Sequence, residues 1–276
     1  MAALLALLSS LLWGTGDFMA GYLSRRRSAI AVLGGSQVVG FVVMVVIATA
    51  TGSWGADPAG YLGWAIGASA AGFLGLLSFY TALASGRMGV VSPIAALGVL
   101  VPLAAGLIAG ELPTGLQYVG IVLAIVGVVL ASGPEISGAT GARPVLLAAL
   151  AALFFGLFLV FVARGSQESA IMTMTAQRTT TTIVVIIMAV VARGVGDLQR
   201  NDIGWLVAIG TFDIVANLVF AIATTMGLLA IVSVLGSLYP VVTVVLAWLV
   251  LRERLAPAQY VGVAVALVGV AAISAG

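Results

Sequence analysis

Apolar runs of membrane-crossing length alternate with short polar breaks along the chain. With breaks read at charges, Pro and Gly, the runs are Ala3 to Tyr22, Ala29 to Thr49, Gly60 to Ala84, Gly89 to Ala109, Leu116 to Ala131, Val145 to Ala163, Ala170 to Ala192, Ile203 to Met226, Leu228 to Leu251 and Ala258 to Ala275. Each approaches the roughly 20 apolar residues that a helix needs to cross a bilayer. Lipid offers no partners to backbone N–H and C=O groups, so such runs must be helical. The pattern predicts an all-α integral membrane protein of ten transmembrane helices. The breaks are short ("GELPTG", "RERLAP"), and the longest surrounds "GPEISGATGARP", so no soluble domain is expected.

The pattern also repeats. "ELPTGLQYVGIVLAIVGVVLASG" starts at Glu111 and "ERLAPAQYVGVAVALVGVAAISA" at Glu253, an offset of 142 residues. "SSLLWG" ends at Gly14 and "AALFFG" at Gly156, the same offset, and "FYTALASGRMGVVS" from Phe79 matches "FAIATTMGLLAIVS" from Phe220 at 141. Agreement in three regions points to duplication, with halves at 1–135 and 143–276. The first run lacks the basic flank of a signal peptide and has a counterpart in the second half, so it is read as part of the fold. Five spans per half is an odd number, which places the second half upside down relative to the first. Inverted repeats of this kind are the architecture of secondary transporters, in which two halves rock about a central site.

Composition narrows the chemistry. Of the residues, 62% are hydrophobic and 7% charged, against roughly 25% charged in a soluble domain. There is no Cys, His or Lys, which removes disulfides, His-based triads, zinc sites and a P-loop. No cofactor and no metal is expected, and an intramembrane enzyme lacks clustered catalytic groups. Arg25, Arg26, Arg27, Arg87, Arg143, Arg193, Arg200, Arg252 and Arg254 fall in odd-numbered loops, and only Arg164 in an even one. These arginines read as orientation signals, not nucleic-acid contacts. By the positive-inside rule the odd loops are cytoplasmic and both termini lie outside the inner (plasma) membrane.

The Trp13-Gly14 pair, Ser92-Pro93, the run "YPVVTVVLAWLVLRERL" from Tyr239 to Leu255 and the two Gln-Tyr-Val-Gly starts resemble the drug/metabolite transporter superfamily, specifically its EamA-type ten-helix members. The resemblance covers the whole chain. It implies a secondary carrier, often an exporter, of amino acids, other metabolites or drugs, working with a small-molecule substrate in the lipid bilayer, as monomer or homodimer. A flippase for a lipid-linked intermediate is the alternative use of the same fold. One departure from symmetry is that Gly98 stands where the second half has Pro240, with Pro102 displaced by one turn.

Three ionisable residues lie within runs: Asp17, Arg178 and Asp213. Charges at membrane depth cost about 2.5–3.5 kcal/mol on insertion scales, so these residues face the interior. Arg178 and Asp213 sit at similar depth on consecutive helices and are expected to pair, either to fix helix register or to attract a carboxylate and carry a proton. Asn217, Phe220 and Thr224 continue the Asp213 stripe, and Thr175, Thr179 and Thr182 surround Arg178. Asp17 shares a stripe with Ser10, Trp13 and Gly14. It resembles in placement the proton-accepting carboxylate of small multidrug resistance proteins, so Asp17 and Asp213 are the candidates for proton coupling. Trp13, Tyr80, Arg178, Asp213, Asn217 and Ser237 are the candidate substrate ligands. Pro93, Pro102 and Pro240 are the candidate kinks, since each removes a helical hydrogen bond. Phe154, Phe158 and Phe161 read as packing. Glu111 and Glu253 read as partners of helix dipoles, and Gly63 to Gly67 and Gly106 to Gly110 as close-contact positions within the bundle or between protomers.

Overall fold

The computed structural model describes residues 1–24, 26–85, 91, 94–131, 142–191, 194, 196–251 and 256–276. Pro93, Ser92 and Glu253 therefore lie outside the described residues. Helices are α1 (Ala2–Ser24), α2 (Ala29–Ala50), α3 (Pro58–Ser85), α4 (Leu100–Ile108) and α5 (Gly115–Ala131). The stretch Ala142–Val191 is interrupted only by Ser169 in extended backbone (φ −159°, ψ 111°), giving α6 (142–168) and α7 (170–191). There follow α8 (Ile203–Met226), α9 (Leu229–Gly236), α10 (Tyr239–Leu251) and α11 (Pro257–Ala275).

Among the described residues, seven helical stretches are long and apolar enough to cross a membrane, and 94–108 and Gly115–Ala131 are shorter apolar helices. Within the described residues the expected runs fall on helices, with one difference: the sixth and seventh are joined. Arg164, Gln167 and Glu168, read as a polar break, continue α6. Gln167 donates to the carbonyls of Ala163 and Thr224 (both 3.4 Å), and Glu168 accepts the Asp57 N–H (3.2 Å). Ser169 then turns the chain and its Oγ accepts the Met172 N–H at 3.2 Å, an N-cap that starts α7 without a loop.

Two breaks follow from proline. Pro240 has no N–H for the carbonyl of Gly236, and α9 ends at Gly236 before α10 restarts at Tyr239. Pro102 likewise has nothing to offer Gly98, and the backbone there tightens into the 3-10 turn Leu97–Val99 before α4. Pro102 itself is buried.

The bundle is assembled through small residues. α1 packs along α8, α3 along α6, α2 against α7 and α8, α4 against α9, and α5 along α11. In the α5–α11 seam, a methyl built on Gly120 would lie 2.7 Å from the Ile273 backbone nitrogen, and one on Gly269 2.5 Å from that of Ala124. Backbones approach this closely only where side chains are absent, which compensates in lipid for the missing hydrophobic drive between helices. Within the chain, nothing described lies within 4 Å of a methyl on Gly63, whereas Gly67 receives the Phe161 ring. Outward faces carry exposed Leu4, Val46, Ile186, Val190, Leu249 and Val268, a surface suited to acyl chains.

Candidate functional site

Arg178 projects from α7 into the contact of α2 with α8. Its two terminal nitrogens donate to Gln37 Oε1 on α2 and to Asp213 Oδ2 on α8, the latter at 2.5 Å. Gly40 lies beside its stem: a methyl there would touch Arg178 Cδ and Nε at 3.5 Å, an ordinary contact. Arg178 Nε is buried and has no hydrogen-bond partner among the described residues. Asn217, one turn along α8, donates Nδ2 to the Asp213 carbonyl at 2.7 Å and to Asp213 Oδ1 at 3.1 Å. Both carboxylate oxygens of Asp213 are thereby engaged. The pair is unequal in burial, with 4% of the Arg178 side chain exposed and 33% of the Asp213 side chain. The expected pairing across α7 and α8 is thus present, and Gln37 is its third member.

Asp17 reaches the same region from α1. The helix passes α8 closely at Gly16, where a methyl would lie 3.5 Å from Phe212 Cβ and 3.7 Å from the Asp213 nitrogen. Asp17 is exposed and lies within electrostatic range of Asp213 and of Tyr239. Among the described residues it makes no hydrogen bond or ion pair. One turn back, Trp13 stacks at 5.5 Å on Phe220 of α8 and meets Tyr239 of α10 edge-on at 6.2 Å. α1 is held there by Ser9 Oγ donating to Ala216 O (2.9 Å) and Thr243 Oγ1 donating to Gly14 O (3.1 Å).

The remaining candidates divide. Ser237 is half-buried and donates its Oγ to Val234 O at 2.8 Å, closing the frayed end of α9. Tyr80 lies on α3, with its side chain outside the described residues. Thr175, Thr179 and Thr224 each donate to a carbonyl of their own helix (2.7–2.8 Å), so their hydroxyls serve the backbone. Thr182 reaches Gln37 O at 3.5 Å. Phe155 and Phe158 fill the spaces left by Gly75 and Gly72, as packing requires. Glu111 does partner a helix dipole, but that of α9 and not of the helix that follows it: its two oxygens accept the N–H groups of Leu229 (2.7 Å) and Ala230 (2.8 Å).

Sequence reasoning passed over Gln37 and Tyr239. Gln37 carried a signal, being a polar residue in the middle of an apolar run. Tyr239 was absorbed into the motif that contains it. Together the site offers one guanidinium, two carboxylates and an aromatic wall, drawn from α1 and α2 of the first half and α7, α8 and α10 of the second. With both carboxylates ionised, negative charge exceeds positive charge by one, so the arrangement can take up a proton or a cation. It can also exchange the Arg178 contact of Asp213 for another carboxylate.

The profile of the EamA-like transporter family matches residues 1–133 and again 142–275. A solved crystal structure of a protein superposes with a TM-score of 0.80 over 99% of this chain and 96% of its own. The two share 19% sequence identity, so this likeness shows the fold alone. No curated protein matches the chain in sequence.

Proposed function

The chain belongs to the EamA-like transporter family, and from that premise we propose that it is a secondary carrier exporting a small amphipathic metabolite, such as an amino acid or drug-like compound, by alternating access. The observation that carries the reading is the Arg178, Asp213 and Asp17 cluster, set among apolar helices and built from both halves. A purely structural ion pair needs neither the second carboxylate nor the aromatic wall beside it.

The packing supports inverted repeats. Exchanging the halves turns the α1–α8 contact into α6–α3, and turns the α2–α7 and α5–α11 contacts into themselves. Such a bundle can open on one side by rocking one half against the other. Loop contacts support the orientation. Arg27 of the first loop meets Asp202 of the seventh at 2.7 Å, and Asp57 of the second meets Glu168 at the α6–α7 joint. Loops of like parity therefore gather together, with the arginine-bearing ones cytoplasmic and both termini outside the inner membrane.

The test is transport in sealed vesicles with an imposed pH gradient, using panels of amino acids and cationic amphiphiles. Accumulation that collapses with the gradient, and is lost in Arg178→Ala and Asp213→Asn, is expected. Transport at parental rates by both variants would leave the cluster a scaffold.

A further inference from the structure

A polar cavity of about 340 Å³ lies away from the site above, between the end of α1 and the start of α8. Its walls include Tyr22, Arg26, Arg27, Asn201, Asp202 and Trp205. The charges are not balanced. Asp202 is spent on its neighbours, its Oδ2 accepting Arg27 Nε at 2.7 Å and the Gln199 N–H at 2.8 Å. Asp197 accepts the Ser28 N–H at 2.9 Å and so serves the entry to α2. Arg26 has no carboxylate partner among the described residues. Its guanidinium stands 5.5 Å over the Tyr22 ring and donates to the Tyr22 hydroxyl at 3.4 Å, so it is held in place without being neutralised.

Tyr22 in turn stacks on Trp205 at 5.4 Å, and Trp205 is 38% exposed. Amphipathic rings at a helix end mark the headgroup level of a bilayer. Ile203 and Val207, on the same helix as the cavity residue Trp205, are exposed apolar side chains suited to acyl contact. The comparable joint elsewhere in the bundle, where the end of α6 meets the start of α3, carries Glu168 against the Asp57 N–H and so has the opposite sign. The basic joint is therefore not a requirement of the fold.

We propose that this cavity binds a phosphate monoanion, supplied by the headgroup of an anionic phospholipid. Arg26 and the free N–H groups of Arg27 hold the phosphate oxygens, Asn201 lies beside them, and the ring pair seats the glycerol level. The cavity is of the size that holds a small ligand, and basic pockets at membrane edges take anionic headgroups.

The full chain in mild detergent is titrated with dioleoyl phosphatidylglycerol or dioleoyl phosphatidylcholine, with retained lipid counted by native mass spectrometry. Phosphatidylglycerol retained in preference to phosphatidylcholine is expected, with Arg26→Ala weakening it about fivefold, the effect of one arginine at a membrane surface. Arg26→Lys should keep part of the preference. Arg143→Ala, which removes an equally exposed arginine at the start of α6, should leave it intact. Equal retention of both lipids, or an unchanged Arg26→Ala, overturns the proposal. Displacement of phosphatidylglycerol by inorganic phosphate alone overturns the lipid as occupant.

Discussion

Gly14 and Gly156 make the same contact in opposite halves. A methyl on Gly14 would lie 2.7 Å from the Tyr239 carbonyl oxygen and 2.5 Å from Val242 Cβ; one on Gly156 would press on the Gly98 carbonyl and come within 2.7 Å of Val101 Cγ2. Each glycine thus admits the proline-broken helix of the other half against the backbone of α1 or α6. Overpacking such contacts costs about 1–3 kcal/mol. Gly14→Ala and Gly156→Ala should each lower the unfolding temperature in detergent, while Gly21→Ala, where nothing lies within 4 Å, should be neutral or slightly stabilising. Equal effects at Gly14 and Gly21 would refute the close approach.

The unequal burial of Arg178 and Asp213 sets a direction for their variants. Asp213→Leu leaves a guanidinium only 4% exposed with Gln37 as its remaining partner. Removing one member of a buried pair costs about 3–5 kcal/mol. Arg178→Leu leaves a carboxylate that is one-third exposed and still bonded to Asn217, so its cost is smaller. Denaturant unfolding should rank Asp213→Leu below Arg178→Leu, with the double variant recovering part of the loss. The reverse ranking would show that burial does not govern the pair.

Glu111 joins the end of α4, where its N–H meets the Gly106 carbonyl, to the start of α9. Its carboxylate satisfies two N–H groups that no helical carbonyl can reach, and it faces the positive end of α9. Glu111→Ala should cost about 1 kcal/mol. It should also speed hydrogen exchange at Leu229 and Ala230 without affecting α11. Protection at those two amides equal to the parent would remove Glu111 as their partner.

The spans were legible because lipid leaves so little choice: a run that cannot satisfy its backbone within itself cannot sit there. Proline made the breaks near Gly98 and Gly236 legible in the same way. The α6 to α7 joint was not, because Arg164, Gln167 and Glu168 look like a loop until the bonds of Gln167 to α8 and of Glu168 to Asp57, just before α3, are seen. The α5–α11 seam was missed for a related reason. Gly120, Gly127, Gly262 and Gly269 recur every seven residues, but nothing local says which glycine faces a helix and which faces lipid. The Arg178 and Asp213 pair was readable from depth alone; Gln37, on a helix remote in sequence, needed the packing of α2.

Asp17 differs from Asp213 in having no partner among the described residues, although the two are in electrostatic range. A carboxylate held by a guanidinium and an amide is committed to those partners, whereas one with neither is the better placed to exchange a proton as its surroundings change. The proton-carrying role under the proposed function therefore falls to Asp17, and the positioning role to Asp213. Asp17→Asn should abolish accumulation against a gradient and flatten the pH dependence of flux, yet leave ligand-induced thermal stabilisation in place. Asp213→Asn should lose that stabilisation as well. If Asp17→Asn still drives uphill transport with the parental pH profile, coupling resides elsewhere and Asp17 serves only as a negative lining of the path.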